Sequence, residues 1–486
     1  MAVVCWLLQG LLSFFLWCEL HIKFISHIYW YSSLMLFPLS NRMIQRTTTA
    51  KAIKVFHAHR MTFITQHDLE TIAQLGIQHV RVPLSWCFTD YDPDVEITSL
   101  DDDDNVTQAE LLEKFTCRDP YYQDEDVRWP AIPRIVLERF LRACAKLGIT
   151  ASLDLHTYPG ATSPGTFSGV WPKQPRFWYH DNPAGSNNAT SSSSSTSDNE
   201  TTTIDFGRQL YRDFIAWMEH LDDEALDGVL GISPMNEPAH LAGVFADAVE
   251  VFRASKLPKR GKQIHVNLHE SLLAEDVVNS DVDDDDDAMH TIVDRETKSS
   301  LASIKLLAAW WNKTTTPAER QDWAILDVHH YHAWSGSCSG ATDGPPSGNY
   351  SCGDVAGRNA ALERCAQWAP QIYRAAVDEM CGKGATLMSG EFSSSTHHRV
   401  RHACNDIDTL KTSYLTQMNA AKKAHVQMYY WSFKMPFGGA FRPAWSFTEL
   451  MYLLGVTDRP DEDTMGCGEQ LLHAEQVTDD FFEEEG

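Results

Sequence analysis

Two glutamates stand where short apolar runs break off. Glu237 lies in Met235-Asn-Glu-Pro238, at the end of the run 229–235, and Glu391 lies in Ser389-Gly-Glu-Phe392, at the end of 385–390. Pro238 has no N–H for a ladder and restrains the residue before it, so the first run ends as a strand with a carboxylate at its tip. Asn-Glu-Pro alone would occur by chance in roughly one chain in twenty of this length. Two glutamates on opposed strand ends carry more. Such a pair can divide the cleavage of an acetal, one donating a proton to the leaving oxygen and the other attacking or activating water, which is the chemistry of glycoside hydrolysis.

The other runs also end in side chains that do chemistry. Run 77–83 carries Arg81 and leads to Trp86; run 149–156 ends at Asp154 and His156. Asn236 precedes Glu237, run 323–329 leads into Asp327, His329, His330 and Tyr331, and run 425–431 ends at Trp431. A single Arg or His near a strand end is a structural hydrogen-bonder more often than not. Tip after tip of this kind asks for a shared rim. There, Asn236 would hold a sugar hydroxyl and strengthen that bond as an oxocarbenium-like transition state forms. Arg81 and Tyr331 would keep Glu391 ionised and oriented, since a cation and a donor both favour the carboxylate. Trp431 would give the sugar ring a flat apolar floor. No metal-ligand spacing and no glycine-rich phosphate loop occurs, so neither metal nor cofactor is expected.

These tips are placed by a repeating pattern that starts near residue 60. Helix-like stretches at 65–75 and 133–147 each end in a glycine, Gly76 or Gly148, and lead at once into an apolar strand. The pattern continues with helix 204–221, strand 229–235, helix 241–255, strand 263–268, helix 299–312 and strand 323–329. Helix 358–381, interrupted near Pro370, then strand 385–390, helix 406–423, strand 425–431 and helix 446–454 complete it. Seven short apolar strands alternating with helices predict an α/β fold with a parallel sheet buried on both faces. The absence of a phosphate loop favours a (β/α)8 TIM barrel over a doubly wound sheet. Its first strand is not clearly identifiable. Residues 53–56 and 22–31 are the candidates.

Composition sets the surroundings. The 486 residues are 43% hydrophobic and include 15 Trp, and the net charge of −26 argues against nucleic acid as a partner. Much of that charge is in runs at 101–104, 283–287 and 479–485, which read as solvated loops and tail. Insertions are expected near 182–203, almost wholly Ser, Thr, Asn and Asp, and near 275–298. The barrel domain spans 51–460, with an acidic tail at 461–486. Five Asn-x-Ser/Thr sequons (Asn105, Asn188, Asn199, Asn312, Asn349) fall in polar, loop-like stretches and fit a secretory route to the cell surface or outside. Of the 11 cysteines, Cys338 and Cys352 bracket a Gly/Ser/Pro-rich loop and are a candidate pair. Residues 3–18 are apolar enough for a signal-peptide core or signal anchor; a segment 1–50 that is not the natural start is the rival reading.

Seven motifs, in order, resemble glycoside hydrolase family 5, particularly its exo-β-1,3-glucanase-like branch, over about residues 57–455. They are Phe63-Ile-Thr-Gln-His-Asp-Leu69, Leu75-Gly-Ile-Gln-His-Val-Arg-Val-Pro83, Leu153-Asp-Leu-His-Thr-Tyr-Pro-Gly160, Met235-Asn-Glu-Pro238, Val328-His-His-Tyr331, Ser389-Gly-Glu-Phe392 and Tyr430-Trp-Ser-Phe-Lys434. The resemblance implies a retaining barrel hydrolase with Glu237 as acid/base and Glu391 as nucleophile; β-glucan is the expected partner, and the chain is expected to be a monomer. It further implies supporting roles for Arg81, His156, Asn236, His329, Tyr331 and Trp431. Of the two adjacent histidines, His329 fits the family's His-x-Tyr spacing. The chain departs from the pattern twice: nothing before His57 resembles the family's Gly/Asn/Trp-containing first strand, and Thr157-Tyr158 replaces residues that are often small. The expected activity is that of a glucan exo-1,3-β-glucosidase. An endo-β-1,4-glucanase is the enzymatic alternative, and an inactive sugar-binding scaffold the alternative of another class.

Overall fold

A computed structural model describes residues 2–4, 49–97, 100, 106–122, 127–162, 175–177, 203–238, 244–267, 299–333, 353–397, 404–435 and 442–458. Eight parallel strands close into a barrel: β1 (Ala2–Val4), β2 (His79–Leu84), β3 (Thr150–Leu155), β4 (Val229–Ser233), β5 (Gln263–Asn267), β6 (Ala324–Asp327), β7 (Leu387–Phe392) and β8 (Val426–Tyr430). Each strand is followed by a helix: α1 (Gln66–Gln74), α2 (Arg134–Lys146), α3 (Thr203–His220), α4 (Val244–Ala254), α5 (Ser299–Thr314), α6 (Val355–Cys381), α7 (Ile407–Lys423) and α8 (Phe447–Leu453). The fold is the expected (β/α)8 barrel. Among the described residues no helix is long and apolar enough to cross a membrane.

The first strand lies where none was expected. Ala2–Val4 closes the barrel by pairing with β8 (Ala2↔Tyr429) and with β2 (Ala2↔His79, Val4↔Arg81). The strand therefore comes from the start of the apolar stretch expected as a leader or anchor. Residues 53–56 are not a strand; they lie within the helix Thr49–Phe63. The other candidate, 22–31, lies outside the described residues, as do the Cys338–Cys352 loop, the insertion 275–298, the acidic tail 461–486 and all but the final residue of the insertion 182–203.

The helices follow their sequence signals closely. Thr65 caps α1 by accepting from Asp68 N while Asp68 returns a bond to Thr65 N, so the Thr-Gln-His-Asp motif is a capping box. The buried ion pair from Lys434 Nζ to Asp68, 2.6 Å, then ties this cap to the segment after β8. Gly76 and Gly148 adopt φ of 70° and 69°, and a side chain at either would meet nothing within 4 Å. Backbone conformation is thus the reason for glycine there. The expected break near Pro370 is absent: α6 runs unbroken from Val355 to Cys381. Proline removes one helical hydrogen bond without dictating a stop. Contacts of α6 with both α5 and α7 hold the two halves in line.

The main core joins the apolar strand residues, such as Val80, Val82, Leu153 and Ile232, to the inner faces of the helices. A second cluster around Trp86, Tyr91, Tyr122 and Trp129 forms a lobe after β2. There Cys87 and Cys117 form a disulfide that anchors the residue next to Trp86. Asp119 binds Trp129 Nε1 and Gly160 N and so fastens this lobe to the turn after β3. Asn312, expected in a loop, is an exposed residue of helix α5.

Candidate active site

Strand periodicity brings the candidate side chains to one end of the barrel. Arg81 is in the middle of β2 and fully buried, beside carboxyl groups from two other strands. Its Nη1 donates to Glu391 Oε1 at 2.6 Å, and its Nη2 donates to Asn236 Oδ1 at 2.7 Å and lies 2.8 Å from Asp154 Oδ2. Burial alone would disfavour the guanidinium charge, but Asp154, Glu391 and Asp327 outweigh it and hold the group firmly protonated. Arg81 in turn helps keep the Asp154 carboxyl below its usual range despite complete burial.

His156 follows Asp154 by two residues, the strand period, and its Nδ1 lies 2.6 Å from Asp154 Oδ2. The opposite ring nitrogen faces Asn236 Nδ2 at 3.2 Å. Donation from Nδ1 to Asp154 leaves Nε2 facing the amide, so the two partners fix the orientation of the ring. Trp431, the first residue after β8, stacks on His156 with centroids 5.6 Å apart and planes 11° from parallel. The Arg81 guanidinium lies 5.9 Å from the same indole.

The two glutamates meet across the barrel mouth. Tyr331 OH donates to Glu391 Oε2 at 2.7 Å, which with Arg81 gives each oxygen of Glu391 a donor. His329 Nδ1 lies 2.8 Å from Glu237 Oε1 and 3.6 Å from Glu391 Oε2, and its Nε2 lies 3.4 Å from Asp327 Oδ2. One donor atom from each of Glu237, His329 and Glu391 falls within 4.8 Å of the others. A single cation could reach all three; at neutral pH the imidazolium proton supplies positive charge there. Burial lowers the His329 pKa, but Glu391, Asp327 and Glu237 reverse this and lift it to about 10. Next to it, His330 donates to or accepts from Tyr373 OH at 2.7 Å, and burial drops its pKa to about 4.

The backbone is shaped to allow this crowding. Gly390 N donates to Asp327 Oδ1, and a Cβ at Gly390 would come within 2.4 Å of Asp327 Oδ2. The glycine of Ser389-Gly-Glu is therefore set by the close approach of a carboxylate from β6. Glu237 has φ of 34°, in the left-handed region, which costs a non-glycine residue about 1–3 kcal/mol. Its N–H is accepted by Asn267 Oδ1 at 2.8 Å.

All eight side chains singled out in the sequence lie in this one network: Arg81, His156, Asn236, Glu237, His329, Tyr331, Glu391 and Trp431. Three further members were given no role. Asp154 and Asp327 were visible as strand-end acids, and their spacing of two from His156 and His329 was the signal that could have assigned them. Asn267 at the end of β5 had no signal beyond its position.

No protein-family model matches this sequence, and no curated protein does. Among solved structures the chain is similar to a rutinosidase from Aspergillus niger, at 13% identity and TM-score 0.42, over 82% of this chain and 83% of that one. It is similar to an endoglucanase of Pseudomonas stutzeri in complex with cellobiose, at 14% identity and TM-score 0.38, over 83% of each chain. An endocellulase from Pyrococcus horikoshii is similar at 11% identity and TM-score 0.40, over 84% and 86%. With TM-scores below 0.5, these likenesses add nothing to what the strands and side chains already display.

Proposed function

We propose that this protein is a retaining glycoside hydrolase of β-glucan, acting as an exo-β-1,3-glucosidase. The observation that carries the reading is the meeting of Glu237 and Glu391, from non-adjacent strands, with an oxygen of each within 4.8 Å of the other and His329 between them. Retaining enzymes hold their carboxyl groups about 5–5.5 Å apart, whereas inverting ones leave about 6.5–9.5 Å for a water. The short spacing supports attack by a carboxylate rather than by water.

Glu391 suits the nucleophile because Arg81 and Tyr331 bond its two oxygens and hold the carboxyl group in one direction. It attacks the anomeric carbon as the leaving oxygen takes a proton from Glu237, giving a glycosyl ester on Glu391. Glu237, now ionised, removes a proton from the water that cleaves the ester. The short contact from His329 Nδ1 to Glu237 Oε1 fixes the direction of the Glu237 carboxyl group. Asn236, gripped by Arg81 and facing His156, presents its amide rigidly to a sugar hydroxyl, and the Trp431 indole stacks on that same His156. The sequence motifs shared with glycoside hydrolase family 5 support the same roles. The Cys87–Cys117 disulfide and the sequons support an oxidising, extracellular or cell-surface setting.

Incubation with laminari-oligosaccharides and cello-oligosaccharides, with products followed by chromatography and anomeric NMR, tests the proposal. Glucose released from laminari-oligosaccharides, first as the β-anomer, is the expected result. Glucose or cellobiose released only from the β-1,4 series would overturn the linkage, and first-formed α-anomer would overturn retention.

A further inference from the structure

We infer that Asn267 is a positioning residue for the acid/base Glu237, an inference that rests on the role proposed for that glutamate. The β4–β5 ladder pairs Gly231 with Gln263 and Ile232 with Ile264. Beyond it, β4 gives way to Pro234, Met235 and Asn236, and Glu237 turns into the left-handed region at φ 34°. Glu237 lies past the end of β4 at Ser233, outside this ladder. The side chain of Asn267 supplies the acceptor instead, with Oδ1 2.8 Å from Glu237 N.

Asn267 is well placed for this. It is the last residue of β5, it is fully buried, and its neighbour in the ladder is Asp327, whose carboxylate lies against His329. Glu237 is thus held at two points. Its backbone is fixed by Asn267 from β5, and its carboxyl group by His329, two residues beyond the end of β6. The amide of Asn267 can sit only one way round, because Glu237 N–H requires an oxygen; Nδ2 has no hydrogen-bond partner among the described residues. Without an acceptor at this site, Glu237 N–H would lose the bond that Asn267 gives it, and its backbone would relax toward a commoner conformation. The carboxyl group would then move off the leaving oxygen while Glu391, held by Arg81 and Tyr331, stayed in place.

This arrangement predicts a selective defect that simple loss of packing would not give. General acid catalysis matters for leaving groups that need a proton and not for those that depart as stable anions. The experiment compares kcat/KM of the full-length protein and its variants on phenyl β-glucoside, which needs protonation, and on 2,4-dinitrophenyl β-glucoside, which does not. Asn267→Ala should lose about 100-fold on the phenyl substrate, the scale of a small misplacement, and less than about three-fold on the dinitrophenyl one.

Glu237→Ala, run in parallel, separates the two levels of the account. If Glu237→Ala loses both substrates equally, the acid/base assignment itself fails. If Glu237→Ala shows the leaving-group split but Asn267→Ala loses both equally, or neither, the positioning role of Asn267 is overturned.

Discussion

Two arginines, Arg81 and Arg320, are both almost completely buried, and they do different things. Arg81 sits inside the barrel against Glu391, Asp154 and Asn236 from three other segments. Arg320 belongs to the short helix Pro317–Asp322 ahead of β6, and its Nη1 and Nη2 donate to main-chain oxygens of Thr315 and Cys381. Carbonyl partners satisfy donors and staple helix ends together, but they titrate with nothing and attack nothing. Carboxylate partners are fixed in charge and direction by the same cation. The difference between a scaffold arginine and a site arginine therefore lies in the partner, and burial alone does not reveal it.

Replacements at the two arginines and at the groups around Arg81 can break or sharpen this contrast. The largest effect should come from Glu391→Gln, which keeps shape and an acceptor while removing the proposed nucleophile. Turnover should fall by about 10⁴-fold or more while the melting temperature holds, because Arg81 keeps Asp154. A rate within ten-fold of the original would sink the nucleophile assignment. Arg81→Met should follow, with about 3–5 kcal/mol lost in denaturant unfolding, since it leaves buried carboxylates uncompensated, and turnover of the folded fraction down by about 100-fold or more.

A third effect depends on pH. The His329 pKa is raised to about 10 in the folded state, above its ordinary 6.5, so its stabilisation is complete below about pH 6.5 and is lost as pH rises toward 10. Between pH 7 and pH 9 the protein should lose about 2–3 kcal/mol of unfolding free energy that His329→Gln does not lose. Parallel pH profiles for the two proteins would show that the imidazole is neutral in the fold. The smallest effect belongs to Arg320→Met. It should cost about 1–3 kcal/mol through unsatisfied carbonyls and leave turnover of the folded fraction within two-fold. Lost activity in soluble, folded Arg320→Met would erase the distinction between the two arginines.

The sequence showed most of this frame, and the reasons it failed elsewhere are physical. Seven strands were legible because apolar runs followed glycine-ended helices, and the side chains that meet at one end of the barrel were legible because a strand tip is where those runs stop. β1 was not legible because three apolar residues, Ala2–Val4, carry no periodicity, and they merge with a longer leader-like run. Strand pairing at a barrel seam is a long-range property: β1 meets β2 across some seventy-five intervening positions. The continuity of α6 through Pro370 depends on the two helices packed beside it, which no local rule contains. The pairing of Cys87 with Cys117 was hidden for the same reason, since spacing does not encode connectivity. Asn267 escaped because an asparagine at a strand end is ordinary until the residue it holds is known.

The central claim is that Glu391 forms a bond to the sugar while Glu237 manages the proton. Incubation of the full-length protein with 2-deoxy-2-fluoro-β-glucosyl fluoride, followed by intact-mass and peptide mass spectrometry, tests it most directly. The slow-turnover sugar should add one 2-fluoroglucosyl mass, located on Glu391, and the label should be absent from Glu391→Gln. A label on Glu237 or on another residue, with Glu391 unmodified, would contradict the account.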